Sequence, residues 1–218
     1  MSLTPVRSVR YAAGSSTAIP GAATRLGHPI GNIGAVPAAP ISPTPGLAYG
    51  VVGAPDARSP QLREQLLGMW VDVTNAGGAV GFTPPADVCA VATTLDTALD
   101  RVAAGKDLLG ILRQNGNAVG MGFLVDPGST LRRHWRTILR LMVRPELQGT
   151  GAGRLLLEGL HGTAADLGLE QLMLTTRGGT GVEGFYERFG YSIVGRHPGA
   201  IRLAPGDDRD ELILVFRL

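Results

Sequence analysis

From Leu47 onward, short apolar runs alternate with stretches whose apolar positions recur every three or four residues, the pattern of an α/β domain. A first strand is expected over 47–52. A helix follows, opened by Ser59 and Pro60 at its cap and first position and carrying Leu62, Leu66, Trp70 and Val73 on one face. The 77–82 loop ends it. A second helix is expected over 85–104, with Leu95, Ala98, Leu99 and Val102 on its apolar face and Gly105 as its stop. Strands over 108–113 and 118–125, separated by Gln114, Asn115, Gly116 and Asn117, read as an antiparallel hairpin. A longer strand over about 135–143 has Leu139, Leu141 and Val143 where its other face has Arg136 and Arg140, so one buried face is expected. A helix over 151–167 and a strand over 171–175 complete a right-handed βαβ unit with it. A short helix near 182–189 and strands near 192–195 and 211–217 close the domain.

Composition narrows the class. With 218 residues, 44% hydrophobic and 17% charged, the chain fits one domain of residues 47–218 with a sizeable core, plus an appendage. Residues 1–46 hold seven of the fifteen prolines and no acid, and show no useful periodicity. They read as an extension whose Ile19, Ile30, Ile33, Val36 and Ile41 dock along the domain or a partner chain. No apolar run approaches the roughly 18–20 residues of a membrane span, and no apolar stretch follows the N-terminal basic residues; a cytoplasmic protein without a membrane partner is expected. The single cysteine, Cys89, cannot close an intrachain disulfide or build a cysteine cluster for zinc, and no metal site is expected. A net charge of +2 is too weak to argue for a nucleic-acid partner, and no recognition motif is present. The distribution says more: Arg132, Arg133, Arg136, Arg140 and Arg144 share thirteen residues that hold no acid. That cluster is either an anion site or a solvated strand face.

Chemistry concentrates in residues 139–157, LRLMVRPELQGTGAGRLLL, where a strand meets a glycine-rich turn that opens a helix. Such junctions bind anions, because the first helical N–H groups are unpaired, the helix dipole adds partial positive charge and glycine lets a phosphate approach the backbone. Gly149, Gly151 and Gly153 would provide the approach and Arg154 a full charge. No Lys-Ser or Lys-Thr follows the glycines, so the loop is not a Walker A; the dinucleotide fingerprint fails because its third glycine position is Arg154. Taken alone, the glycines also read as a tight turn with close helix packing.

The run 143–153, VRPELQGTGAG, followed by Phe185-Tyr186-Glu187-Arg188-Phe189-Gly190-Tyr191, resembles the GNAT superfamily of N-acetyltransferases. Gln148, Gly151 and Gly153 match its pyrophosphate loop. The resemblance covers roughly residues 47–218 and implies a mostly antiparallel central sheet flanked by helices. It is similar within that superfamily to the tabtoxin resistance enzymes, through 77–82, Leu141-Met142-Val143 and the 194–199 turn. This implies acetyl-CoA as the cofactor and a small amine, amino-acid-like or antibiotic-type, as acceptor. Leu141, Met142, Val143, Gln148, Gly149, Thr150, Gly151, Ala152, Gly153 and Arg154 would hold the coenzyme, and Tyr186 would protonate the departing thiolate. Gly78, Val80 and Phe82 would form one wall of the acceptor pocket, unless 77–82 is only a helix connection.

The amine must lose a proton before it attacks. The resemblance implies acidic residues where this chain has Thr137 and Thr175; neither is a base, though both could hold a water in a relay. His134 and His197 are the nearest groups of useful pKa, and His161 is expected to be solvated on the helix after the loop. A coenzyme A binding or sensing module without transfer activity, and a protein N-acetyltransferase, stand as alternatives. Pairing as a homodimer is also expected from the resemblance.

Overall fold

The computed structural model describes residues 46–218; the expected docking of Ile19, Ile30, Ile33, Val36 and Ile41 lies outside them. The elements in chain order are β1 (Leu47–Val51), α1 (Pro60–Asn75), α2 (Val88–Ala103), β2 (Leu108–Gln114), β3 (Asn117–Val125), β4 (Trp135–Val143), α3 (Ala152–Asp166), β5 (Gln171–Arg177), α4 (Val182–Glu187), β6 (Ser192–Ala204) and β7 (Asp207–Arg217). The seven strands form one mixed sheet in the order β1-β2-β3-β4-β5-β7-β6, with β4 and β5 its only parallel pair. No helix among the described residues is long and apolar enough to cross a membrane.

Local chemistry sets most boundaries. The Ser59 hydroxyl accepts from Leu62 N–H at the start of α1, and Pro60 needs no partner at the first position. At the other end Gly77 takes φ +89°, while the Gly77 and Gly78 amides bond back to Thr74 and Val73 carbonyls, a complete Schellman stop. Helix α2 starts three residues later than expected, because Asp87 caps the amides of Cys89 and Ala90. Between β2 and β3 the loop is only Asn115-Gly116, both at positive φ, as a two-residue hairpin of this twist requires.

Helices cover both faces of the sheet, so β4 does not have the single buried face its alternation predicts. One core packs α1 and α2 on residues including Met121, Phe123, Leu139 and Met142; the other packs α3 and α4 on Ile138, Leu141, Val143, Leu172 and Leu174. Strands β6 and β7 are also longer than expected. They run past the sheet as a solvent-exposed hairpin turning at Pro205-Gly206, clipped by Arg196–Asp210 and Arg202–Asp208 ion pairs. A strand without a buried face has no apolar alternation to reveal it.

Helix α3 is seated by a fit between glycines and one aromatic ring. A Cβ on Gly159 would lie 2.4 Å from the Tyr49 ring, and one on Gly110 would lie 2.7 Å from its hydroxyl, so only glycine admits Tyr49 between helix and sheet. The Tyr49 hydroxyl bonds Thr163 Oγ1 at 2.8 Å and locks the arrangement. Gly162, on the same helix, faces open space. Gly159→Ala is therefore expected to destabilise by about 1–3 kcal/mol, whereas Gly162→Ala gains up to about 1 kcal/mol of helix propensity. Thermal melts of the two variants should shift in opposite directions.

Candidate active site

The parallel pairing of β4 with β5 stops almost as soon as it starts. Its register runs Trp135↔Gln171, Arg136↔Leu172 and Thr137↔Met173, after which the strands separate. From Ile138 to Val143 the β5-facing edge of β4 has no strand partner, which leaves main-chain groups open beside a gap in the sheet. On its other edge β4 contains a bulge. Between the pairs Phe123↔Leu139 and Met121↔Met142, β4 spends one residue more than β3, and Arg140 takes φ +53° there. The bulge resets the alternation, so Leu139 and Arg140 both face the α1/α2 side while Leu141 faces α3.

Beyond the gap, the chain enters α3 through the turn expected to hold an anion. Gly149 and Gly151 sit at φ +76° and +93°, a region costly for any side chain with a Cβ. The first ladder bond of α3 runs from Leu155 N–H to the Gly151 carbonyl, so the amides of Ala152, Gly153 and Arg154 precede it, and Gly151 has no side chain to cap them. The Gln148 side chain bonds back to the Val143 carbonyl and the Thr150 hydroxyl to the Leu147 carbonyl, closing the turn on itself. Arg154 bonds Glu158 at 2.8 Å along the helix, so the cradle is made chiefly of backbone amides. Ala152 contributes its methyl to the core as well. These features fit a diphosphate at the turn and an extended chain in the gap.

Tyr186, on α4, is buried on the α3 side among Phe185 and Tyr191, with ring centroids 5.1 and 5.5 Å away. Its hydroxyl has no partner among the described residues, yet it is not one of the sealed polar atoms, so it remains open to a ligand. Burial pushes its pKa up to about 12. Beside it Tyr191 bonds His161 Nε2 at 2.9 Å, and His161 stacks on Phe216 at 4.3 Å. His161 is therefore half-buried rather than solvated, and burial lowers its pKa. Its partner thirty residues away could not be read from helical periodicity.

The remaining expected residues divide between the two faces. Thr137 is the last β4 residue paired to β5, and Thr175 lies two positions past its partner Met173, so both mark the mouth of the gap on the α1/α2 side. Val80 and Phe82 lie on that side too, attached to Trp70: its indole Nε1 donates to the Val80 carbonyl at 3.0 Å and its ring meets Phe82 edge-on. Gly78 is different. A Cβ there would collide with Val73, so its place is the helix stop, not an open wall. His134 and His197 are exposed, His134 ahead of β4 and His197 on the outlying β6. Glu183, which the sequence reading passed over, lies three residues before Tyr186 on α4, with Oε2 sealed and unpartnered.

The acetyltransferase (GNAT) family model matches residues 81–191, just over half the chain, and this protein belongs to that family. Solved structures agree in fold. An acetyltransferase of the GNAT family from Streptococcus pneumoniae aligns with TM-score 0.62 at 16% identity, over 79% of this chain and 99% of its own. The ribosomal-protein-alanine N-acetyltransferase from Brucella melitensis aligns with TM-score 0.61 at 17% identity, over 78% and 99%. A Salmonella typhimurium protein assigned as an acetyltransferase, solved with its cofactor acetyl-CoA, aligns with TM-score 0.61 at 15% identity, over 79% and 94%.

The glycines of the turn are separable by experiment. Gly151→Ala should lower stability by about 1 kcal/mol through its backbone and weaken coenzyme A binding. Gly153→Ala keeps ordinary φ, with Phe185 Cζ 3.9 Å from the new methyl, and should melt no lower than the parent. Loss of coenzyme A affinity in that variant, measured by calorimetry, would report direct crowding of the ligand.

Proposed function

We propose that this protein transfers the acetyl group of acetyl-CoA to the amine of a small polar acceptor, amino-acid-like or antibiotic-type, by direct attack in a ternary complex. The observation that carries the reading is the gap between β4 and β5, bounded by the amide cradle of α3, with Tyr186 on one face of the sheet and the Trp70–Phe82 wall on the other. Acetyl-CoA supplies a thioester whose carbonyl carbon accepts the amine.

The chain's residues divide the work. The amides of residues 152–154 and the turn at 148–151 hold the diphosphate, and the open edge of Leu141–Val143 aligns the pantetheine arm by strand-like hydrogen bonds. The acceptor approaches from the α1/α2 side. As the new C–N bond forms and the C–S bond breaks, Tyr186 gives its proton to the sulfur from the opposite face. A phenol at about 12 is about 5 kcal/mol from matching a free thiol, but burial raises the thiol pKa in the same dry site and narrows that gap. Thr137 and Thr175 are not bases; on the α1/α2 side, at the mouth of the gap, they hold a water that carries the amine's proton away.

The likeness of the 77–82 loop to tabtoxin resistance enzymes supports an amino-acid-like acceptor. A cytoplasmic setting and a homodimeric state belong to the reading, with no nucleic-acid or membrane partner. In a thermal-shift series, coenzyme A and acetyl-CoA at about 100 times Kd should each add about 2.7 kcal/mol, roughly 5–10 °C, while ATP and NADH leave the midpoint in place. Absence of any coenzyme A shift withdraws the reading. For the chemistry, the raised pKa keeps Tyr186 protonated, so kcat should show no alkaline fall below about pH 10 from this group; Tyr186→Phe should lower it by about 10²-fold or more. Full turnover in Tyr186→Phe would remove the general-acid role.

A further inference from the structure

We infer that Arg140 selects the acceptor: the amine that this enzyme acetylates carries a carboxylate, and the Arg140 guanidinium binds it. The inference deepens the acetyltransferase reading above and rests on it.

Three costs meet at this one residue. Arg140 holds a left-handed backbone at φ +53°, which a residue with a Cβ adopts only at a steric cost. Its Nε is sealed from solvent with no hydrogen-bond partner. Its charge is drawn out of water, and burial pulls its pKa downward, with no carboxylate beside it to compensate. The neighbouring arginines of the strand show what an ordinary solution looks like. Arg136 pairs with Asp126 at 3.0 Å and Arg144 with Asp72 at 3.1 Å. Among the described residues, Arg140 has no such acid; its guanidinium instead lies over the Trp70 ring, 5.0 Å from the centroid.

Its position gives the cost a use. The bulge turns Arg140 onto the α1/α2 face, where the acceptor must arrive, within the open stretch 138–143 that faces the gap. The Trp70 ring supports the guanidinium, and is itself fixed by its bond to the Val80 carbonyl and by Phe82. The Nη N–H groups, which are neither sealed nor partnered among the described residues, present a planar edge at the mouth of the site that matches a carboxylate in geometry and charge. Binding such a group at the Nη edge would supply the missing counter-charge, so the cost of the desolvated cation is recovered only when substrate is present. A neutral amine would leave the cation unpaired, and the site would discriminate against it.

The test compares matched acceptors: amino acids against their carboxamides, with rates taken at equal concentrations of free amine. The parent should favour the acids, and Arg140→Gln should lower kcat/KM for the acids by about 30- to 100-fold while changing the carboxamides less than about 3-fold. Arg140→Lys should recover only part of the loss, since a point charge lacks the fork. Arg140→Asn, which tolerates the left-handed backbone, keeps the comparison available if the glutamine variant folds poorly. Equal use of acids and carboxamides by the parent, or an equal loss on both in the variants, overturns the inference. Calorimetric titration of the same pairs, with and without coenzyme A, reads Arg140 independently of turnover. Acid binding that disappears in Arg140→Gln supports the role even when no acetylation is detected; acid and carboxamide binding alike, or neither binding, overturns it. Failure of coenzyme A itself to bind would count against the acetyltransferase reading alone.

Discussion

The structure depends on a single refusal to pair. Strand β4 could bond β5 along its whole length, but the ladder ends at Thr137↔Met173 and the sheet divides. An interrupted ladder inside a protein is expensive, because buried main-chain groups without partners cost about as much as lost hydrogen bonds. Everything around the division limits that cost. Cores on both faces hold the strands, the long β5–β7–β6 arm closes the far side, and the turn into α3 adds further open amides at the same place. Main-chain groups without internal partners are thus collected at one site, where a ligand with an amide-bearing arm and a diphosphate can satisfy them together.

Much of this was legible in the sequence. Residue types with one conformational or capping purpose marked their positions well: Ser59-Pro60 opened α1, Asn115-Gly116 turned a hairpin, and the glycines at 149 and 151 took the positive φ that only they take cheaply. Strand β4 was found with its ends in place. What failed to show has a physical reason in each case. The bulge at Arg140 is a count of residues between two strands, and one strand's sequence does not contain its partner's count. The β6–β7 hairpin beyond the sheet lacks a buried face, so its strands carry no period-two signal. His161 took its character from burial by distant elements, and Gly78 from Val73 filling its space.

The arginine cluster illustrates how one sequence pattern holds two outcomes. An anion site and a solvated face were both consistent with five arginines and no acids in thirteen residues. The fold chooses residue by residue: Arg136 and Arg144 find aspartates from other elements, Arg132 lies over Trp135 at 6.0 Å, and Arg140 alone of the β4 cations is carried inward by the bulge. A local change in register carries a strand arginine from the pairing edge onto the Trp70 ring.

The Tyr49 ring, set between Gly110 and Gly159, has a consequence for the coenzyme turn some two helical turns away. A helix on a smooth apolar face is free to slide by fractions of an ångström, and its N-terminal amides would slide with it. The ring acts as an index pin: it fixes the axial position of α3 against β1 and β2, and the Thr163 bond keeps the pin from withdrawing. The distance from the glycine turn to the sheet gap is thereby set by an aromatic residue on the edge strand.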